Sequence, residues 1–415
     1  MAFINPLSKA TCPFCFYSFH LSKAPRRLTD ANLTSIKDSK MGRFLRRPDP
    51  ELGAVTEPSD FPTLEKLFRK IFIADDWKSG HKKICPNCHM YLPHATASGQ
   101  LNSKTIAIIG ARSSGKSNYI GVLLNELENR YADEVGFALY DQETYSVDQQ
   151  KQISSKKLYK ERYGSRLYGN NKIFAIEQNK SASQDASLRI PLIYRLEFPK
   201  FKFQKLFSFF KPAVSMDLVI FDAAGEDLQD PQAMEELCRY LLNSSGILIL
   251  IDPLQFDPIR QKLYGTKEES QKAKIDFDAS DMIARVANLF QSRGGLKPGQ
   301  KITIPTAFAF SKFDLIEKLI SPQSVLHKNN IHKGGFNIKN CLKASEEVAE
   351  FTKEWESNKL SNLISRKFKS YCYFALSALG QSPKVGDLQI DRVKPKNIAD
   401  PLLWLLWKNG YIPSI

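Results

Sequence analysis

KTIAIIGARSSGKS, residues 104–117, is the stretch from which the architecture is read. The apolar run 106–109 predicts a buried strand, Gly110 ends it, and Gly115-Lys116-Ser117 follows after four residues. G-x-x-x-x-G-K-S between a strand and a helix predicted over 119–127 is the setting of a phosphate-binding loop. Its glycines permit a tight turn whose backbone N–H groups converge on the α- and β-phosphates of a nucleotide. Lys116 reaches the β/γ oxygens, and the Ser117 hydroxyl is a ligand for Mg²⁺. Ser113, Ser114 and Asn118 fill out the cradle, and the helix N-terminus adds partial positive charge.

The chain has 415 residues, enough for two or three domains with a large core. No stretch approaches the roughly 18–20 apolar residues of a membrane span, and no basic-apolar-small leader opens the sequence. The expectation is a cytoplasmic protein without a transmembrane segment. A formal charge of +15 favours acidic partners, or simply a basic solvated surface.

Of seven cysteines, four form a pattern. Cys12-Pro-Phe-Cys15 and Cys85-Pro-Asn-Cys88 are two C-P-x-C knuckles, each short turn directing two sulfurs to one side. Together they suit a tetrahedral, structural Zn²⁺ with no coordination position left for chemistry. A zinc ribbon usually spaces its knuckles by about 15–20 residues, so the segment 22–83 reads as an insertion. It carries a basic, proline-broken stretch (Arg26, Arg27, Arg43, Arg46, Arg47) and an amphipathic helix predicted over 63–73. This basic region is a possible contact for nucleic acid.

After the loop helix, residues 131–187 are polar and read as mobile loop and helix rather than core. Strands are predicted over 188–198 and 216–221, with an alternating basic and aromatic segment, KFKFQKLFSFFKP, between them. The second strand runs into Asp222-Ala-Ala-Gly225-Glu226. An acid at the end of a buried strand beside a phosphate loop holds Mg²⁺, and Gly225 brings a backbone N–H to the γ-phosphate. Strands at 246–251, 304–310 and 372–376 follow, with helices over 233–242 and 280–290. The strand ending at Phe310 delivers Ser311-Lys312-Phe313-Asp314, and the one ending at Leu376 delivers Ser377-Ala378-Leu379. A carboxylate at 314 accepts from guanine N1 and N2, a donor pair adenine lacks. Each element lies at the C-terminal end of a strand, where open α/β sheets bind ligands.

In this order the motifs resemble the Ras-like, TRAFAC-class GTPases over residues 102–385. The paired knuckles and the terminal segment 401–406 resemble the bacterial "double-GTPase" proteins of multi-component conflict systems. The resemblance implies an α/β fold, a Ras-like P-loop GTPase domain with a mostly parallel central sheet flanked by helices. It implies a zinc-ribbon domain over 1–98, the GTPase domain over 99–395 and a C-terminal helix in 396–415. It also implies GTP/GDP and Mg²⁺ as cofactors beside Zn²⁺. Gly110, Gly115, Lys116 and Ser117 would serve the phosphates and metal, Asp222 and Gly225 the metal and γ-phosphate, Lys312 and Asp314 guanine, and Ser377 and Ala378 its O6. An antiphage role, with an adaptor or effector protein of the same system as partner or a nucleotide-dependent oligomer, is implied as well.

Three positions depart from the family pattern. No Thr lies between Thr144 and Thr266, so the switch I ligand to Mg²⁺ falls to a serine, with Ser181 favoured over Ser183 and Ser187. Glu226 stands where a water-positioning Gln is usual. Arg112 occupies a loop position that is small in the family, either as an internal arginine finger or as an outward-facing ion-pair partner. The expected function is a GTP-hydrolysing switch. A non-hydrolysing signalling or dimerisation module, or a nucleic-acid-binding protein regulated by its GTPase domain, remain the alternatives.

Overall fold

The computed structural model describes residues 9–29, 35–58, 80–98, 105–111, 113–146, 151–169, 173–176, 189–199, 214–222, 231–265, 278–356, 358–383 and 388–415. The helix expected over 63–73 and most of the basic-aromatic segment after residue 199 lie outside them.

Near-continuous apolar runs make strands that can be buried on both faces, which is the signature of a parallel sheet. Four such runs pair here: β1 (Thr105–Gly110), β5 (Ser244–Ile251), β6 (Thr306–Phe310) and β7 (Tyr371–Ala375), in the order β7-β6-β5-β1 and all parallel. Register places Leu250 opposite Gly110, Ile251 opposite Phe310, and Phe310 opposite Ala375. The C-terminal ends of all four strands therefore lie along one edge. Parallel neighbours need crossover connections. Here α4 (Ala279–Ser292) leads to β6, while α5 (Ile338–Glu356) and α6 (Lys359–Lys367) lead to β7, with α5 packed along β7.

A second sheet is antiparallel, in the order β4-β3-β2, from β2 (Ala138–Asp141), β3 (Leu192–Phe198) and β4 (Val214–Ile220). β4 lies alongside β1, but among the described residues no backbone ladder joins them. Tyr240, from α3 (Pro231–Leu242), bonds the middle of β1 and packs edge-on against Phe221, just past β4. Its hydroxyl accepts from the Ile108 N–H at 2.8 Å and donates to the Ile106 carbonyl at 3.1 Å. Burial pushes this phenol upward, so the hydroxyl keeps its proton and can donate.

The described residues within 131–187 include the expected helix but also add strands and buried side chains, which corrects the reading that this stretch stays out of the core. They contain β2, a hairpin of Glu143–Ser146 with Lys151–Ser154, and a helix, α2. α2 begins at Ser155–Tyr159, widens into a π turn at Lys160–Gly164 and closes with Ser165–Leu167. Leu158, Tyr163 and Leu167 are buried.

The knuckle region shares its core with the sheets. Phe16 packs edge-on against Phe221 at 5.7 Å and tilted against Tyr240 at 4.6 Å. Arg189 donates to the Phe44 carbonyl at 3.0 Å. In the insertion, Arg26 and Arg27 are buried, whereas Arg43 and Arg47 are exposed. Arg27 pairs with Asp38, which also accepts from His89 Nδ1 at 2.8 Å and from the Met41 N–H at 2.9 Å. Burial would raise the Asp38 carboxyl, but these hydrogen bonds outweigh it and hold the group well below the usual range. At the other end of the chain, α7 (Asp400–Lys408) packs against β5 and β6. Gly246 makes room for it, since a Cβ there would lie 2.9 Å from Leu405 Cδ2.

Tyr240→Phe removes the hydroxyl and leaves two buried backbone groups of β1 without that partner. The expected cost is about 1–3 kcal/mol, read as a lower urea midpoint at unchanged m-value.

Candidate nucleotide site and metal centre

β1 ends at Gly110, where a side chain would be crowded: a Cβ would lie 2.5 Å from Ser114 Oγ and 3.1 Å from Leu250 Cβ. The loop closes through the Ser114 N–H to the Ala111 carbonyl at 3.2 Å. Ser113 (φ 62°) and Gly115 (φ 80°) both adopt the left-handed conformation. α1 (Lys116–Glu126) starts immediately afterwards, and by position its first-turn N–H groups lack intrahelical acceptors. Ser114 turns its hydroxyl inward against Gly110.

Asp222, just past β4, meets this loop. Ser117 Oγ donates to its Oδ2 at 2.9 Å, and Lys116 Nζ lies 3.2 Å from its Oδ1 as an ion pair without hydrogen-bond geometry. All three side chains are buried. Tyr163, which the sequence reading did not single out, donates its hydroxyl to Oδ2 at 3.0 Å. Its visible signal was Tyr159, Tyr163 and Leu167 at four-residue spacing inside a polar stretch. The Asn118 amide is engaged with Ile176, accepting from its N–H and donating to its carbonyl, both at 2.9 Å. Thr144 is spent elsewhere, donating to the Pro191 carbonyl at 2.9 Å. Arg112, Ser181, Gly225 and Glu226 lie outside the described residues.

Two strands away, about 10 Å by ordinary strand spacing, the base-reading candidates come together. The Ser311 N–H and hydroxyl both donate to the Ile251 carbonyl, at 2.9 and 3.2 Å, and the Phe313 N–H donates to the Leu376 carbonyl at 3.0 Å. These bonds tie the turns after β6 and β7 to the sheet edge. Ser377 then donates its hydroxyl to Asp314 Oδ1 and accepts from the Gly380 N–H at 2.9 Å. Among the described residues nothing donates to Asp314 Oδ2, which leaves it as an acceptor. Ala378 follows, half-buried. Lys312, itself left-handed at φ 53°, reaches Asp252 Oδ2 at 2.6 Å, a partner the sequence did not suggest.

The four cysteine sulfurs of the two knuckles lie within 4.8 Å of one another, and all four residues are buried. The Cys12–Cys88 and Cys15–Cys85 pairs are each 3.7 Å apart. A tetrahedral Zn²⁺ with bonds of about 2.3 Å needs sulfurs about 3.8 Å apart, so the donors fit. The knuckles are near-copies. Phe14 N–H faces Cys12 Sγ and Asn87 N–H faces Cys85 Sγ, each at 3.4 Å, and the residues after the knuckles, Phe16 and His89, both have φ 55°. The four buried thiols share their hydrogen bonds: these lower Cys15, while burial raises Cys12 and Cys88.

No family model matches the chain. It is 23% identical over 340 residues to the "Putative ESX-1 scaffolding and assembly protein SaeC" of Mycolicibacterium smegmatis, covering 78% of this chain and 79% of that protein. Among solved structures, it overlaps the Saccharomyces cerevisiae Ski7 GTPase-like domain bound to GTP at TM-score 0.33 and 11% identity, over 74% of this chain and 50% of that one. It also overlaps the signal recognition particle receptor SRb-GTP/SRX complex from Chaetomium thermophilum at TM-score 0.27 and 12% identity, over 75% of this chain and all of that one. Overlaps this weak carry no argument about this chain.

The purified protein is expected to hold one Zn²⁺ per chain by elemental analysis. Cys85→Ala should lose it and melt lower by roughly 5 °C or more.

Proposed function

We propose that this chain is a GTP-binding switch that hydrolyses GTP. One observation carries the reading: Asp314 and Ser377 meet on the same sheet edge where Lys116, Ser117 and Asp222 converge. Phosphate chemistry sits at one end of that edge and a guanine-selective carboxylate at the other. On this reading Lys116 turns from Asp222 to the β- and γ-phosphates, where its charge offsets the charge that develops on transfer. Asp314 accepts from the guanine through Oδ2 while Ser377 fixes its other oxygen. Ser117 and Asp222 hold Mg²⁺, which when bound supplies charge neutralisation between the phosphates. Gly225 and Glu226 belong to the loop that senses the γ-phosphate, and Arg112 is the candidate internal finger.

The switch is read by a protein partner in a multi-component assembly. Supporting this are the resemblance to conflict-system GTPases, which also brings the antiphage setting into the proposal, and the mycobacterial relative, whose name is that of a scaffolding and assembly protein.

Competition of unlabelled GTP and ATP against a fluorescent guanine nucleotide tests the base reading; equal competition overturns it. Asp314→Asn presents an amide donor where guanine needs an acceptor, so GTP affinity should fall by roughly a hundredfold or more. Xanthosine triphosphate, with a carbonyl at C2, should bind this variant better than GTP does. Lys116→Ala should abolish phosphate release above background.

A further inference from the structure

Between β2 and β3 the chain folds back so that α2 lies on α1. Gly121 permits the approach, since a Cβ there would lie 2.6 Å from Leu167 Cδ1 and 3.0 Å from Tyr163 Cβ. Tyr159 donates its hydroxyl to the Gly121 carbonyl at 2.9 Å, and Arg162 Nη1 donates to the Ile190 carbonyl at 2.6 Å. Tyr163 sits in the π turn of this helix, a local widening that is often found at functional sites. The clamp delivers its phenol, buried, to Asp222.

An ionised carboxylate offers about four acceptor sites, two on each oxygen. Asp222 Oδ2 uses both of its own, on Ser117 at 2.9 Å and Tyr163 at 3.0 Å, while Oδ1 faces Lys116. The carboxylate cannot rotate about its Cβ–Cγ bond without breaking both Oδ2 contacts. A phenol keeps its proton at neutral pH, so Tyr163 is the donor in this contact. Once phosphates draw Lys116 away, Oδ1 is the oxygen left to face a metal ion or a water bound to it.

We propose that Tyr163 is a positioning residue for the Mg²⁺–nucleotide site, its hydroxyl locking Asp222 with Oδ1 turned toward the metal. This rests on the nucleotide reading above. A hydrogen bond that orients a metal-binding carboxylate is worth about 10–100-fold in metal affinity, because a free-turning carboxylate must be ordered at the moment of binding. It also joins the packing of α2 on α1 to the loading of the site.

The test uses the full chain, a fluorescent guanosine diphosphate and buffered MgCl₂, reading nucleotide retention against free Mg²⁺. Tyr163→Phe keeps the ring at Gly121 and removes only the hydroxyl. Its Mg²⁺ midpoint should rise about tenfold or more, while retention in EDTA stays within about twofold of wild type. Gly121→Ala, which pushes the Tyr163 Cβ off α1, should raise the midpoint by a separate route, and it carries the test alone if the Phe variant does not fold. An unchanged midpoint in the folded variants overturns the proposal. A lowered midpoint also overturns it, since the hydroxyl would then be a competitor of the metal. If wild type retains no guanine nucleotide at any Mg²⁺ concentration, the nucleotide reading fails and this proposal with it. If wild type retains it and the folded variants match the wild-type midpoint, only the role of Tyr163 falls.

Discussion

The buried carboxylate of Asp222, held between Lys116 and Ser117, is the constraint around which the two sheets are set. No ladder runs between β1 and β4 among the described residues, so their alignment depends on side chains. Tyr240 bonds the middle of β1 while its ring meets Phe221 just past β4, and this cluster joins the two at the strand end. Desolvating an ammonium and a carboxylate costs several kcal/mol per ion, and an apolar pair of equal volume is often at least as stable. The charges are therefore poor evidence of stabilisation. They make sense as groups waiting for a ligand that bears opposite charges of its own.

The cysteine cluster is tied into the same arrangement. Phe16, bent left-handed directly after the first knuckle, touches both Phe221, the neighbour of Asp222, and Tyr240. Asn243 donates to the Phe16 carbonyl at 3.2 Å, which fixes the knuckle to the end of α3. The cysteine cluster thus braces the strand that carries the acid, and is not a separate bead on a linker.

What the sequence discloses follows from how locally each signal is encoded. TIAIIG, SGILILI, TAFAF and YCYFA are apolar on both faces, so each is legible alone, and the motifs at their ends are placed by the strands themselves. α2 is legible only as unplaced helix, because its buried Leu158, Tyr163 and Leu167 are spread among charged and polar neighbours. Averaged over 131–187, such residues look like loop. Arg27 misled in the opposite sense, reading as solvated charge while its partner Asp38 is eleven residues away and buried with it. The pairing of Lys312 with Asp252, and the docking of Phe16, depend on residues that share no local pattern.

The packing of Phe16 also bears on how the protein is made. Cys12 and Cys15 leave the ribosome long before Cys85 and Cys88, and the surface that receives Phe16 lies further on, around residues 221–243. At synthesis rates of about 5–20 residues per second, the first knuckle waits roughly 10–40 s for that surface. The first knuckle is thus made well before the surface that seats Phe16, and its two thiols lack their partner pair until Cys85 and Cys88 follow.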